Sequence, residues 1–440
     1  MHSIDRSAYE TLKPDRSPIR TDAGFKLAAA IVWGALVIGL ALSPFADFLS
    51  VYAAKGAGAG AGVDARISLL LRGMMTISLI VCLIYGSRTS MGGLRQAAAF
   101  AFVVCTTIGS YAFGMLVAHE LFEQVVFVLK VFTFFVYPAA MMMLTDRRLE
   151  QVQSVAFAAL MAYGLSIIVG ASLSIDLFRS YQADVQIRSG YKGIIYAQNE
   201  AAALVVAATA LGYLHALVRG WTWRSMLLVG CMIVASGLTG TKGAMLGAMG
   251  VTCAYFFARY NAIKASWYAG LVLTVLAIAA TSAYFFVPAV NQAVDLSLRY
   301  FEYRSGHTDD DVVLTLLLSG RNLKLANVWT DVQANGYIAL LTGGHPVVRY
   351  MVELDVFDLL LAFGVPIFVI YAIALTRTFI RRGAHRRANR FAHLFFVVLI
   401  GMACTAGHVL GSAVVSPYLA LIAVVIRRAV PATRSVRQIR

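Results

Sequence analysis

Twelve apolar runs occupy most of this 440-residue chain, near 24–50, 67–85, 97–118, 121–144, 152–175, 196–218, 224–240, 243–258, 266–287, 357–376, 391–409 and 412–426. A helix needs about 20 apolar residues to cross a bilayer, and backbone in lipid must satisfy its own hydrogen bonds. Runs of this length and number leave one fold class: an all-α, polytopic integral membrane protein with about twelve transmembrane helices. Only 13% of the residues are charged and 60% are hydrophobic, where a soluble domain carries about 25% and 45–50%.

The charges are sorted by side. If the N-terminus is cytoplasmic, 24 of the 37 Lys and Arg residues fall in cytoplasmic segments, 11 fall outside, and Arg72 and Lys130 lie within runs. This is the positive-inside bias, so the net charge of +15 calls for no nucleic acid. Both termini are expected in the cytoplasm. The first 23 residues lack the apolar core and cleavage site of a signal peptide, so the first span is expected to stay. All five cysteines lie in apolar runs without metal-ligand spacing, which reads as small core residues.

The expected organisation is an N-terminal tail (1–23), nine spans (24–287) with an outer loop at 176–195, a large loop (288–356) between helices 9 and 10, three spans (357–428) and a basic tail (429–440). The Ala-Gly stretch Lys55–Gly62 reads as a flexible outer turn. The large loop should be partly helical. Asp309, Asp310 and Asp311 suit the first turn of a helix over Val312–Leu318, where carboxylates meet the positive end of the dipole. A metal triad is the sharper reading, but adjacent carboxylates on a helix diverge. Ser319 can cap a second helix running from Gly320 to Asn335, stopped by Gly336.

Four outer clusters carry cations where the positive-inside bias disfavours them. They are Arg188 to Lys192, leading to Asn199; the turn Thr239-Gly240-Thr241-Lys242-Gly243; Ser319-Gly320-Arg321; and Gly344-His345 with Arg349, Glu353 and Asp355. An anionic lipid head group would account for them, because guanidinium binds phosphate bidentately. Each has a plainer reading. Arg188 and Lys242 can snorkel, Arg321 can be an exposed first-turn residue, and His345 an ordinary turn histidine. Asn199 can cap a helix, and Glu353 can pair with Arg349 at i,i+4.

Taken in order, these motifs resemble the O-antigen ligase and Wzy-type polysaccharide polymerase superfamily, integral-membrane glycosyltransferases of the GT-C kind. The resemblance covers roughly Arg188 to Tyr418. Its marks are Arg188 with Gly190 and Gly193 ahead of Asn199, the 239–243 turn, Ser319-Gly320-Arg321 followed by Trp329, Gly343-Gly344-His345, Glu353 to Gly364, and Gly407-His408. Thr241-Lys242 departs from the Ser-Arg of many members, keeping the charge but losing the fork.

The resemblance implies a donor linked to undecaprenyl pyrophosphate, with no cofactor, metal or nucleotide. It implies that Arg188 and Arg321 hold the pyrophosphate and that His345 positions or deprotonates the attacking hydroxyl. Lys242, Arg349, Tyr191, Asn199, Glu353 and Asp355 would complete substrate binding. Membrane lipid is an expected partner, and chain-length regulator and flippase proteins are companions it admits. The expected activity is polymerisation of lipid-linked repeat units on the periplasmic face of a bacterial inner membrane. A ligase would use the same donor but accept on lipid A core. A transporter or flippase is the rival from another class, favoured by Lys130 within the fourth run.

Overall fold

A computed structural model describes residues 23–56, 67–86, 91–180, 190–286, 291–292, 294–296, 298–299, 312–380 and 383–429. The tails, the 57–62 part of the Ala-Gly turn, Arg188 and the Asp309–Asp311 run lie outside the described residues.

Every one of the twelve apolar runs folds as helix. In chain order these are α1 (Ala23–Gly56), α2 (Ile67–Gly86), α3 (Met91–Ala112), α4 (Ala118–Thr133) continued by α5 (Val136–Met141), α6 (Asp146–Ser172), α7 (Gln198–Arg219), α8 (Trp223–Leu238), α9 (Lys242–Arg259) and α10 (Ala262–Phe286). Three short helices follow, α11 (Val312–Leu318), α12 (Arg321–Ala334) and α13 (Ile338–Thr342), then α14 (Asp355–Phe379), α15 (Arg386–Thr405) and α16 (Ser416–Arg428). Among the described residues the only β pairing is one bridge, Arg179 to Tyr191. Among the described residues eight helices are long and apolar enough to cross a membrane. The remaining runs form α3, α8, α9 and α16, which are shorter or less apolar. The architecture fits a polytopic membrane protein.

Burial separates the helices by role. The Ala-rich α7 is buried almost throughout, because small side chains let neighbouring backbones close in. In contrast α10 is apolar on all sides yet exposes Trp267, Phe285 and Phe286, the pattern of a helix whose solvent is lipid.

Two local breaks shape one end of the bundle. Within α14, Gly364 has φ +71° and ψ 159°, and Pro366 follows two residues later. Proline has no N–H to give Ala362, and the carbonyls freed by the break are taken by the Gly-Gly-His turn. Gly344 N–H donates to Ala362 O at 2.9 Å and His345 N–H to Leu361 O at 3.4 Å. Glycine is needed on both sides of this crossing, since a Cβ on Gly343 would stand 2.5 Å from the Phe363 carbonyl carbon. The second break is at the end of α15. The eleventh apolar run reads as helix to 409, but α15 stops at Thr405 and residues 406–415 are unwound before α16.

The second helix of the large loop is Arg321–Ala334, with Gly336 at φ +64° after it. Ser319 does not cap it. Ser319 and Gly320 both turn through left-handed backbone, at φ +57° and +80°, and the helix start has no side-chain cap.

Candidate functional site at one end of the bundle

The turn between α8 and α9 is the floor of the site. A Cβ on Gly190 would lie 2.4 Å from Thr239 O, so only glycine lets the 190–198 segment pack there. Tyr191 N–H donates to Leu238 O at 2.9 Å and Gln198 Nε2 to Thr239 O at 3.0 Å. The first two clusters are therefore one surface. Tyr191 also carries the Arg179 guanidinium over its ring, 6.0 Å from the centroid. Lys242 is exposed at the first position of α9, behind the Thr241 cap, and Gly243 faces Ala406.

Arg321 reaches this surface from α12. Its Nη1 donates to Thr405 O at 3.1 Å and its Nη2 lies 3.5 Å from Glu353 Oε2, while its Nε is buried without a partner. Lys324, one turn along the same face, donates to Glu353 Oε1 at 2.6 Å. Burial alone would raise the Glu353 carboxyl, but the Lys324 hydrogen bond and the charges of Lys324, Arg321 and His408 hold it below its ordinary value.

Glu353 and His408 are both strained, with φ +66° and +65°, and such outliers gather at functional sites. They are locked by two carboxylates on the first turn of α14. Asp358 accepts from the N–H groups of Val352 and Glu353, each at 3.0 Å. Asp355 accepts from three successive N–H groups, those of His408, Val409 and Leu410, at 2.6, 2.7 and 2.6 Å. The two strands of this lock touch directly, since a Cβ on Gly407 would stand 3.0 Å from Glu353 Cα. Asp355 is thus a buried anchor rather than an exposed ligand.

The fourth cluster divides. Residues 349–353 are not helical, and Arg349 does not pair with Glu353. It makes a bidentate pair with Glu120 of α4, Nε to Oε1 at 2.7 Å and Nη2 to Oε2 at 2.5 Å. One turn on, Gln124 Nε2 donates to His345 O at 2.9 Å and its Oε1 accepts from Val348 N–H at 3.1 Å. His345 is only 3% exposed, and its Nε2 is buried without a partner. Burial pushes its imidazole below the ordinary value, with Asp331 opposing, so it is neutral at pH 7. Asp331 lies ten residues from Arg321 along α12, about 15 Å at 1.5 Å per residue. Among the described residues no hydrogen bond joins the His345 imidazole to Arg321. Asn199 is half-buried in the first turn of α7, where the cap residue is Ala197. Among the described residues no three His, Cys, Asp or Glu side chains gather as metal ligands.

Two features escaped the sequence reading. Lys324 had a signal, being a second cation at i,i+3 from Arg321 on an outer segment. The other is a buried triad: Arg72 on α2 makes a bidentate pair with Asp47 on α1, and Tyr163 on α6 donates to the same carboxylate.

Fold and site together describe a helical membrane protein with a cationic, backbone-locked cluster at one end of its bundle. No protein-family model, curated protein or solved structure matches the chain.

Proposed function

We propose that this protein is an integral-membrane glycosyltransferase that lengthens a glycan carried on undecaprenyl pyrophosphate, with twelve spans, cytoplasmic termini and the Arg321 cluster on the periplasmic side. The observation that carries the reading is the meeting of Arg321 and Lys324 with Glu353, the Thr405–His408 turn and the Thr239–Gly243 turn. These segments are far apart in sequence, yet they meet around Glu353 and Ala406. Pyrophosphate is a good leaving group, and fixed cations can stabilise the charge that develops on it. Arg321 and Lys324 would grip the pyrophosphate, with Glu353 giving way as the ligand enters. Lys242 flanks them across the Gly243–Ala406 contact. Arg188 lies outside the described residues, but its neighbour Gly190 is seated on this floor. The family pattern would give the proton of the acceptor hydroxyl to His345, but that side chain is buried.

The test is reconstitution of the full-length protein in lipid discs with undecaprenyl-pyrophosphate-linked repeat units alone. A polymerase makes a ladder of glycans. Transfer that appears only when lipid A core is added makes it a ligase. Movement of the lipid-linked glycan across vesicles without lengthening overturns the enzyme reading.

A further inference from the structure

We propose that the proton acceptor of this site is His408, in the unwound stretch after α15, and that His345 is a buried structural pin. This rests on the glycosyltransferase reading and names a group within it.

Position comes first. Arg321 donates to Thr405 O, three residues before His408. Gly407, the residue before His408, packs against the Glu353 backbone. His408 is half-buried and lies close enough to Glu353 for its charge to bear on that carboxylate. The His345 imidazole is closed off on every side and sits against Tyr350, with ring centroids 6.0 Å apart.

Rigidity comes second. A non-glycine residue at φ +65° costs on the order of 1–3 kcal/mol, and the fold holds His408 there with the three N–H bonds to Asp355. Glu353, opposite, is held in the same strained region by Asp358. A chain that needed only a turn at this point could have used glycine, as it does at Gly343 and Gly344. Two strained residues facing each other, each fastened by its own buried carboxylate, form a preorganised pair.

Chemistry comes third. Glu353 is held as a carboxylate by Lys324 and Arg321 and is a weak base, suited to orienting a hydroxyl. In the transfer step the acceptor hydroxyl oxygen attacks the anomeric carbon of the donor sugar. Its lone pair becomes the new glycosidic bond as the bond from that carbon to the pyrophosphate oxygen breaks, and that electron pair leaves on pyrophosphate beside Arg321 and Lys324. The hydroxyl proton passes to the His408 imidazole and then to water. The charged groups that His408 acts on are Glu353 on its loop and Asp355 and Asp358 on α14, with Arg321 and Lys324 of α12 paired to Glu353. Lys242 opens α9 behind Ala406, and Glu200 on α7 bonds Ser412 farther along the unwound stretch.

The experiment uses His408→Gly in the full-length protein, because glycine adopts positive φ without strain and so favours a folded variant. Turnover on undecaprenyl-pyrophosphate-linked repeats should fall by about 10²–10⁴-fold, the scale of a lost general base, and free imidazole should restore part of it. The wild type should show an acid limb in its rate profile that the glycine variant lacks without imidazole. His345→Gln, read by the same assay, should keep that limb. A His408→Gly variant with wild-type turnover, or one that keeps the acid limb, overturns the proposal. Loss of the limb in His345→Gln does the same. A wild-type protein that extends no glycan would instead sink the underlying enzyme reading.

Discussion

Removing Asp47 should be among the most damaging single changes in this protein. Its carboxylate accepts two bonds from Arg72, at 2.9 and 2.5 Å, and a third from the Tyr163 hydroxyl. Both members of the pair are shielded, with side chains 5% and 1% exposed for Arg72 and Asp47. Asp47→Leu therefore leaves a guanidinium inside the bundle without a counter-charge, its remaining partners being Ser68 O at 3.4 Å and the Tyr163 hydroxyl at 3.3 Å. Stranding one half of a buried ion pair costs about 3–5 kcal/mol, and Tyr163→Phe, which removes the hydroxyl's bond to Asp47 and the 3.3 Å bond it accepts from Arg72 Nη2, should cost about 1.5–3 kcal/mol. The double variant Asp47→Leu/Arg72→Met removes both charges and replaces them with side chains that pack. It should be more stable than either single variant, leaving the cycle non-additive by about 3 kcal/mol or more. Unfolding of the purified protein in mixed micelles, followed by circular dichroism, measures all four corners. A double variant no more stable than the worse single one would refute the reasoning, because the two charges would then be independent.

Gly364→Ala should destabilise the fold by roughly 1–3 kcal/mol or more, since φ +71° with ψ 159° is a glycine conformation and the new Cβ would lie 2.6 Å from Gly343 N; Gly270→Ala, with nothing within 4 Å, should be neutral or stabilising in the same thermal assay. Arg321→Lys should lose most transferase activity although it keeps the charge, because one ammonium cannot contact Thr405 O and a phosphate together, whereas Lys242→Arg should be tolerated; equal behaviour in turnover assays would count against the fork. Because the folded Glu353 pKa is lowered, its contribution to stability is present above the ordinary value of 4.5 and fades as pH falls through the lower folded value. Melting curves of wild type and Glu353→Gln should therefore converge in acid and separate near neutrality. Finally, in a cysteine-free background, Asp331→Cys should react with an impermeant thiol reagent from outside intact spheroplasts and Ala384→Cys should not.

The apolar runs were legible because they answer to a local condition. Twenty apolar residues must bury their backbone polar groups within one helix wherever the neighbours lie, so each of the runs is helical and the helix over Arg321–Ala334 ends at the glycine that follows it. Local pattern also picked out Arg321 and Glu353 as residues out of place on a simple membrane frame, and the family resemblance added Gly407-His408. Which of them meet was not a local property. Glu353 looked four residues from Arg349 and a natural partner for it, but the chain between them is not helical, and Arg349 instead finds Glu120 on α4. His345 looked open between two glycines and a proline. Those glycines instead let the turn press against the broken α14, which closes the imidazole off. Asp355 read as a substrate-binding residue, and packing turned it inward, with Asp358, to hold N–H groups from 50 or more residues away and from just before the helix. Hydropathy is a sum over neighbours in sequence, whereas a hydrogen bond between unwound segments depends on where two helices happen to stop. Hydropathy along the chain accounts for the helices and the membrane class, whereas the packing of helix ends sets the cations of α12 against Glu353 and the Thr405–His408 turn.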